Sequence, residues 1–199
     1  MVTFCIIRHG ETEPNKRHAC LGRTDVPLNQ KGREQAFRLF SNLLGVHCDA
    51  VYSSPLSRAK DTVSVFLEAR KDLTLIEDER LIERDFGEWE NMSMPEIEAA
   101  DQERFALWME DFVGYTAPGG ESSADVQRRV DSLIEELAQR HDGETVMLVT
   151  HLGTARHIIS KCLGLTLEES WRFTLDNGGF AVIEYDPEKG YGVLKRLDS

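Results

Sequence analysis

The sequence predicts an α/β fold in which helices cover both faces of a mostly parallel β-sheet. Segments with the length of strands alternate along the 199 residues with segments of helical apolar periodicity. The strand-like segments are apolar throughout rather than at every second position, which is typical of strands buried on both faces. Ligands of such folds bind beyond the carboxyl ends of the strands, so we expect functional residues there.

Short apolar runs identify the predicted strands. They are residues 3–7, 50–52, 73–76, 145–149, 180–184 and, with the weakest pattern, 192–195. The first predicted helix spans residues 30–44, with Asn29 as its N-cap because the side-chain oxygen can accept a hydrogen bond from the first turn. Its apolar face carries Ala36, Leu39, Phe40 and Leu43.

The second predicted helix follows the strand at residues 50–52. We expect Ser54 to cap it, and Pro55 suits its first turn because proline fixes φ near the helical value. Its apolar stripe consists of Leu56, Ala59, Val63, Phe66 and Leu67. Arg58 therefore lies in the first turns of this helix, near the end of the preceding strand.

Two more helices are predicted over residues 123–140 and 154–163. The inward stripe of the first is Val126, Val130, Leu133, Ile134 and Leu137, and that of the second is Ala155, Ile158, Ile159 and Cys162. Strands and helices thus alternate along the chain, and this alternation favours a parallel sheet with a helix between successive strands.

Residues 84–120 interrupt the alternation. They contain two of the three tryptophans and three of the five methionines, and they end in Pro118-Gly119-Gly120. Their large aromatic residues are Trp89, Phe105, Trp108, Phe112 and Tyr115. We interpret the segment as a mainly helical insertion over the edge of the sheet, acting as a substrate lid, packing on the core, or both. No linker divides the chain, so we expect residues 1–199 to form one domain.

The charge balance argues against several classes of partner. The chain has 23 Lys and Arg against 35 Asp and Glu, a formal net charge of −12, which repels nucleic acids and anionic membranes. A small anionic ligand is compatible with this charge, because a local cluster of arginines dominates within a Debye length of about 8 to 10 Å. With no long apolar run and no signal sequence before the first strand, we expect a cytoplasmic protein.

Metal and disulfide chemistry lack support in the sequence. The four cysteines are widely spaced, with no CxxC pair, and we expect them to be reduced thiols. They are Cys5, Cys20, Cys48 and Cys162. Metal and nucleotide motifs of the HExxH, Walker and EF-hand types are missing, so we expect neither a metal ion nor a cofactor.

Polar side chains follow two of the predicted strands at the point where each strand ends. Arg8 and His9 follow the first strand, and His151 follows the fourth. Taken singly, such a histidine is more often structural, and an arginine such as Arg58 is more often part of a surface ion pair. At the carboxyl edge of one sheet they would instead converge on an anion, and paired arginines hold phosphate oxygens without a metal.

A phosphoryl group bound there would give His9 a chemical role. A neutral imidazole nitrogen can attack phosphorus in line and form a phosphohistidine, which water then hydrolyses. The leaving alkoxide needs a proton, and a carboxylic acid is the natural donor. Glu83 is a candidate at the start of the insertion, but on composition alone Glu11, Glu88 and Glu121 compete with it.

Six sequence blocks, in order along nearly the whole chain, resemble those of the histidine phosphatase superfamily in its phosphoglycerate mutase-like branch. The blocks are RHGETEPN, GRTDVPLNQKGREQA, SSPLSRAKDT, LIERDFGEWE, PGGES and VTHLGTAR. The first alone is a modest signal, whereas all six in order are highly specific. The length and the fourth and fifth blocks further resemble α-ribazole 5′-phosphate phosphatases and the broad-specificity phosphatases similar to them.

The resemblance implies a three-layer fold whose sheet has one antiparallel edge strand. It also implies that His9 is the phosphorylated nucleophile and that Glu83 is the proton donor and later the general base. Residues implied to bind the transferring phosphoryl group are Arg8, Arg58 and His151. Residues implied to contact the substrate or line the pocket are Asn15, Gly22 and Leu152, and Glu121 would help to fix the site.

The predicted function is metal-independent hydrolysis of small phosphate monoesters, with α-ribazole 5′-phosphate as a candidate substrate. The alternatives are a phosphoglycerate mutase and a non-catalytic protein that binds phosphorylated ligands. Leu21 disfavours the mutase, since mutases carry a hydroxyl there, and Asn91 and Leu152 replace frequent glycines of the family. The expected partner is a small phosphate ester, and exposed apolar residues of the insertion would offer a contact for a homodimer.

Overall fold

The computed structural model describes residues 1–43 and 45–198 and contains a six-stranded β-sheet. The strands are β1 (Val2–Arg8), β2 (Ala50–Ser53), β3 (Leu75–Glu77), β4 (Thr145–Thr150), β5 (Phe180–Asp186) and β6 (Tyr191–Asp198). They lie side by side in the order β3-β2-β4-β1-β5-β6. The first four pair in parallel, β5 pairs antiparallel with β1, and β6 pairs antiparallel with β5. The predicted α/β class and mostly parallel sheet are confirmed, and the antiparallel edge consists of the pair β5 and β6.

Helices cover both faces of this sheet. They are α1 (Glu13–Lys16), α2 (Gln30–Leu43), α3 (Ser57–Ala69), α4 (Met94–Ala100), α5 (Gln102–Glu110), α6 (Ser123–Arg140) and α7 (Leu152–Leu163), with short helical turns at Glu79–Leu81, Gly87–Trp89 and Glu168–Arg172. No helix in the described part of the chain is both long and apolar enough to cross a bilayer.

The two faces of β1 enter two separate apolar cores. Phe4 and Ile6 are buried among residues of α6 and α7, whereas Cys5 and Ile7 are buried among residues of α2 and α3. Since successive side chains of a strand point to opposite faces, every position must be apolar. Burial on both faces explains the continuous apolar runs of the central strands β1, β2 and β4, whereas β6 at the edge of the sheet is largely exposed.

Helix boundaries confirm some predictions and correct others. The Asn29 side chain accepts a hydrogen bond from Gly32 N at 2.8 Å, which confirms the predicted cap of α2, and Leu44 lies outside the described residues. The predicted capping of α3 by Ser54 is wrong, because the helix begins at Ser57. Its first turn is held instead by Asp25, whose Oδ1 accepts hydrogen bonds from Ser57 N and Oγ at 2.8 Å each. The last helix, α7, begins at residue 152 rather than 154.

Residues 84–120 carry α4 and α5 and, together with Cys20, form a third apolar cluster apart from the two cores of the sheet. Its buried members are Cys20, Trp89, Ile97, Trp108 and Ala117, with Phe86, Met92, Phe105, Phe112 and Tyr115 packed against them. The mainly helical character of the segment agrees with the sequence interpretation. Its action as a lid stays a prediction.

The four cysteines are unpaired and buried, in agreement with the predicted thiols. Burial raises the pKa of Cys5 and of Cys20 to about 12, that of Cys48 to about 11, and that of Cys162 further still. These thiols are therefore protonated at physiological pH and poorly nucleophilic.

Candidate active site

The parallel pairing of β1 and β4 brings their carboxyl ends together. Arg8 is paired with Thr150, and the backbone N of His9 donates to the Thr150 carbonyl at 3.0 Å. The residues that follow the two strands, His9 and His151, consequently meet, with ring centroids 5.0 Å apart in an edge-to-face arrangement. The predicted convergence of these two histidines is present.

His9 is held as a neutral imidazole with one free nitrogen. Its Nδ1 lies 2.6 Å from the Gly10 carbonyl oxygen. A carbonyl can only accept, so Nδ1 carries the proton and Nε2 carries the lone pair. Burial, and secondarily the charges of Arg58 and Arg8, lower the pKa of His9 well below its usual value. The ring is therefore neutral in its resting state, and the lone pair of Nε2 is available.

Arg58 is fully buried beside His151. Its guanidinium donates to the Gly22 carbonyl at 2.7 Å, to the Thr24 carbonyl at 2.8 Å and to His151 Nδ1 at 3.1 Å. Burial lowers the pKa of Arg58 to about 10, so the group remains charged near neutrality. Since His151 Nδ1 accepts this bond, its Nε2 carries the proton and donates to Ser54 Oγ at 2.8 Å.

Arg8 offers unused donors. One terminal nitrogen donates to the Leu175 carbonyl at 2.7 Å, whereas its Nε is buried and has no hydrogen-bond partner among the described residues. Burial lowers the pKa of Arg8 to about 10, which leaves it protonated. A buried N–H without a partner costs about 1–3 kcal/mol, and an anion bound beside it would recover that cost.

The Glu83 carboxylate lies against the first turn of α7. It accepts hydrogen bonds from Gly153 N at 2.8 Å, from Thr154 N at 3.1 Å and from Arg84 N at 2.9 Å. A side chain at position 153 would collide with it, because an added Cβ would lie 2.5 Å from Glu83 Oε1. The missing side chain of Gly153 therefore leaves the space that the Glu83 carboxylate occupies.

A cavity of about 220 Å³ opens at this edge of the sheet. Among the predicted site residues, those on its wall are Arg8, His9, Asn15, Glu83 and Leu152. The other three predicted residues, Gly22, Arg58 and His151, are buried behind this wall. Arg58 is bonded to His151 and to the Gly22 carbonyl, and His151 in turn contacts the His9 ring. Gly22 is required by packing as well as by its carbonyl, since a Cβ there would overlap the Arg84 carbonyl oxygen.

Asn15 is oriented by its neighbours. Its Oδ1 accepts hydrogen bonds from Thr12 Oγ1 at 2.9 Å and from Asn177 Nδ2 at 3.3 Å, which turns the amide nitrogen away from them. Asn177 Nδ2 also lies 3.1 Å from the His9 carbonyl. Sequence reasoning missed Asn177, because it lies in the loop before β5 and outside all six blocks.

Arg84 and Glu121 tie residues 84–120 to α6. Arg84 donates to the Glu121 carbonyl at 2.7 Å, to Ser123 Oγ at 3.1 Å and to the Tyr115 carbonyl at 2.8 Å. The Glu121 carboxylate pairs with Arg129 at 3.3 Å. Glu121 therefore stabilises the loop around the cavity, and it is not among the residues that line the cavity.

The aromatic residues of the insertion divide into two groups. Trp108 and Phe112 line the cavity, whereas Trp89 and Tyr115 stack on each other at 5.9 Å away from it. Further wall residues that the sequence did not single out are His18, Ser123, Arg156, His157 and Trp171. Within the part of the chain that the structure describes, no cluster of His, Cys, Asp and Glu is arranged to hold a metal ion.

Comparison with known proteins gives consistent matches over nearly the whole chain. A family model described as "Histidine phosphatase superfamily (branch 1)" matches residues 4–197. Phosphoserine phosphatase 1 of Hydrogenobacter thermophilus is 35% identical over 195 residues, 98% of this chain and 92% of that protein. Adenosylcobalamin/alpha-ribazole phosphatase of Escherichia coli is 30% identical over 194 residues, 98% and 94% of the two chains. The crystal structure of a putative alpha-ribazole-5′-P phosphatase from Escherichia coli has a TM-score of 0.91 at 29% identity, covering 100% of this chain and 96% of the other.

Proposed function

The chain belongs to the histidine phosphatase superfamily (branch 1) and is a phosphoric monoester hydrolase, and we propose that His9 carries the phosphoryl group during turnover. The observation that supports this assignment most directly is the state of the His9 ring. Its Nδ1 is held by the Gly10 carbonyl, its Nε2 lone pair is free, and the ring lies on the wall of the cavity.

In the first step, the lone pair of His9 Nε2 attacks phosphorus, and the bond between phosphorus and the leaving oxygen breaks. Glu83 transfers its proton to that oxygen, so a neutral alcohol leaves. In the second step, Glu83 accepts a proton from water as the water oxygen attacks phosphorus. The N–P bond breaks, its electron pair returns to Nε2, and inorganic phosphate is released.

The charge of the transferring group is balanced by two arginines. We assign the unused N–H groups of Arg8 to the phosphoryl oxygens, since Arg8 lines the cavity and its buried Nε has no partner among the described residues. Arg58 supplies a second positive charge from behind His9, and His151 orients Arg58 through the 3.1 Å bond to its Nδ1. Fixed charges of this kind stabilise the transition state without reorganising.

Substrates of this enzyme are small phosphate esters. The relatives are named for phosphoserine and for adenosylcobalamin and α-ribazole, and we retain α-ribazole 5′-phosphate as one candidate. Asn15 and Leu152 would contact the ester at the mouth of the phosphoryl site. The four unpaired cysteines support a reducing, cytoplasmic location.

Release of inorganic phosphate from a panel of esters tests the proposed function. The wild-type protein should hydrolyse both alkyl phosphates and p-nitrophenyl phosphate without added metal. His9→Ala should lose activity on every ester, whereas His47→Ala, at an exposed histidine, should retain it. Full activity of His9→Ala would contradict the formation of a phosphohistidine. No release from any ester by the wild-type protein would contradict the proposed function itself.

A further inference from the structure

His157 is a buried histidine on the cavity wall that the proposed mechanism does not use. Its Nδ1 lies 3.0 Å from Gln127 Oε1. The Gln127 amide nitrogen donates to Asp131 Oδ1, and a carboxylate can only accept. The amide oxygen therefore faces the ring, Nδ1 carries the proton, and Nε2 is left with a lone pair.

The neutral state of His157 follows from its surroundings. Burial, and then the charges of Arg129, Arg84 and Arg156, lower its pKa to about 4. No group in the described part of the chain donates to Nε2, and the ring borders the cavity. His157 Nε2 is therefore a hydrogen-bond acceptor at the cavity wall. Its tautomer is fixed by the chain of hydrogen bonds from His157 through Gln127 to Asp131.

Arg156 presents a cation beside this acceptor. Its Nε donates to the Phe173 carbonyl at 3.2 Å, and its guanidinium lies 4.3 Å from the centroid of the Trp171 ring. The two terminal nitrogens have no partner among the described residues. Arg156 lies in α7, the helix whose first-turn N–H groups hold the Glu83 carboxylate, and it lines the same cavity as Glu83.

The other arginines of the wall are already engaged. Arg84 makes three hydrogen bonds to the protein, and Arg8 faces the phosphoryl group. Arg156 is thus free to balance a second negative charge on the ester. The volume of about 220 Å³ is below the roughly 300 Å³ at which sites for drug-sized ligands begin, which favours a small alcohol.

We propose that His157 determines specificity by accepting a hydrogen bond, through Nε2, from a hydroxyl or ammonium group of the leaving alcohol, while Arg156 binds an anionic group next to it. This inference rests on the proposed function and narrows its substrates. They are phosphate monoesters of small alcohols that carry an acid group and an adjacent hydrogen-bond donor.

Matched pairs of esters test this subsite in the wild-type enzyme. 3-Phosphoglycerate has the donor and the acid, 3-phosphonooxypropanoate lacks only the hydroxyl, and 2-hydroxyethyl phosphate lacks only the carboxylate. We expect kcat/KM to be roughly 10- to 100-fold higher for 3-phosphoglycerate than for either analogue, because each analogue leaves either His157 or Arg156 without its partner. Ratios near one for both pairs would overturn the inference.

Variants assign each preference to a residue. His157→Phe should abolish the preference for the hydroxyl, and His157→Gln, which keeps an acceptor, should preserve part of it. Arg156→Gln should abolish the preference for the carboxylate. The matched control is His141→Phe, which removes a hydrogen-bonded histidine far from the cavity and should leave both ratios unchanged.

The outcomes separate this inference from the function on which it rests. Turnover of p-nitrophenyl phosphate with unchanged ester ratios in His157→Phe and Arg156→Gln would refute the subsite and leave the phosphatase mechanism standing. If His157→Phe fails to fold, the kcat/KM ratios of the matched esters for the wild-type enzyme and for His157→Gln still test the subsite. Preference for α-ribazole 5′-phosphate over 3-phosphoglycerate would also refute the subsite.

Discussion

We expect Gly153→Ala to stabilise helix α7 and, at the same time, to lower the activity of the enzyme. Gly153 lies in the first turn of α7, and its N–H donates to Glu83 Oε2 at 2.8 Å. An added methyl group would lie 2.5 Å from Glu83 Oε1 and 3.1 Å from Cδ. Carbon and oxygen atoms need about 3.5 Å between them, so the carboxylate must move by about 1 Å.

The magnitude of the effect depends on the leaving group. A displacement of about 1 Å from the reactive geometry costs roughly 100-fold in rate. That loss applies where the leaving alkoxide needs a proton, as with alkyl phosphates. A p-nitrophenolate ion leaves without one, so its ester should lose much less. Alanine is about 1 kcal/mol better than glycine inside a helix, so the fold should be kept.

Steady-state kinetics on both ester types, with thermal unfolding of the same samples, measure these effects. The control is the double variant with Glu83→Gln, in which the displaced group no longer carries the proton. Gly153→Ala should then cause little further loss, because the two changes act on one step. An equal loss on both ester types, or a full additional loss in the Glu83→Gln background, would refute the reasoning.

Three further predictions follow from the buried groups around the site. Arg58→Lys keeps the charge but cannot make the three bonds of the guanidinium, so denaturant titration should show a free energy of unfolding lower by about 2–3 kcal/mol, with at least a tenfold loss in kcat/KM. Unchanged stability and activity would place Arg58 outside the site's support. Burial depresses the folded-state pKa of His9, His151 and His157 below the usual 6.5, so the unfolded chain binds more protons below that pH. The free energy of unfolding should therefore fall as pH drops from about 7.5 to about 5, by up to about 1.4 kcal/mol per pH unit for each histidine, and urea titrations showing no fall would contradict it. The four buried thiols should resist a thiol reagent until the protein is denatured, and rapid labelling of the native protein would contradict their burial.

Local sequence patterns predicted the elements that depend on local physics. The central strands β1, β2 and β4 are apolar runs because they are buried on both faces, and the stripe of α6 is buried as its periodicity predicted. The cap of α3 was not predictable in this way, because Asp25 lies 32 residues before Ser57 in the chain. Such a contact arises from the tertiary fold and leaves no signal at the helix itself.

The residues of the site likewise divide into those that the local sequence predicts and those that depend on tertiary contacts. His9 and His151 were predictable because they end neighbouring parallel strands. Physics alone did not single out Glu83 among the competing glutamates, and only the sequence block around it did. His157 was missed because its role depends on Gln127, which lies on a different helix and 30 residues away. An acceptor that is fixed by hydrogen bonds between two helices can be identified only from the packed structure.

The most direct test of the central claim is to trap the covalent intermediate. Wild-type enzyme mixed with a ³²P-labelled ester and quenched in base within milliseconds should carry label that is stable to base and labile to acid. Peptide mapping should place that label on His9, and His9→Ala should carry none. Label on another residue, or continued turnover with no labelled histidine, would contradict the account.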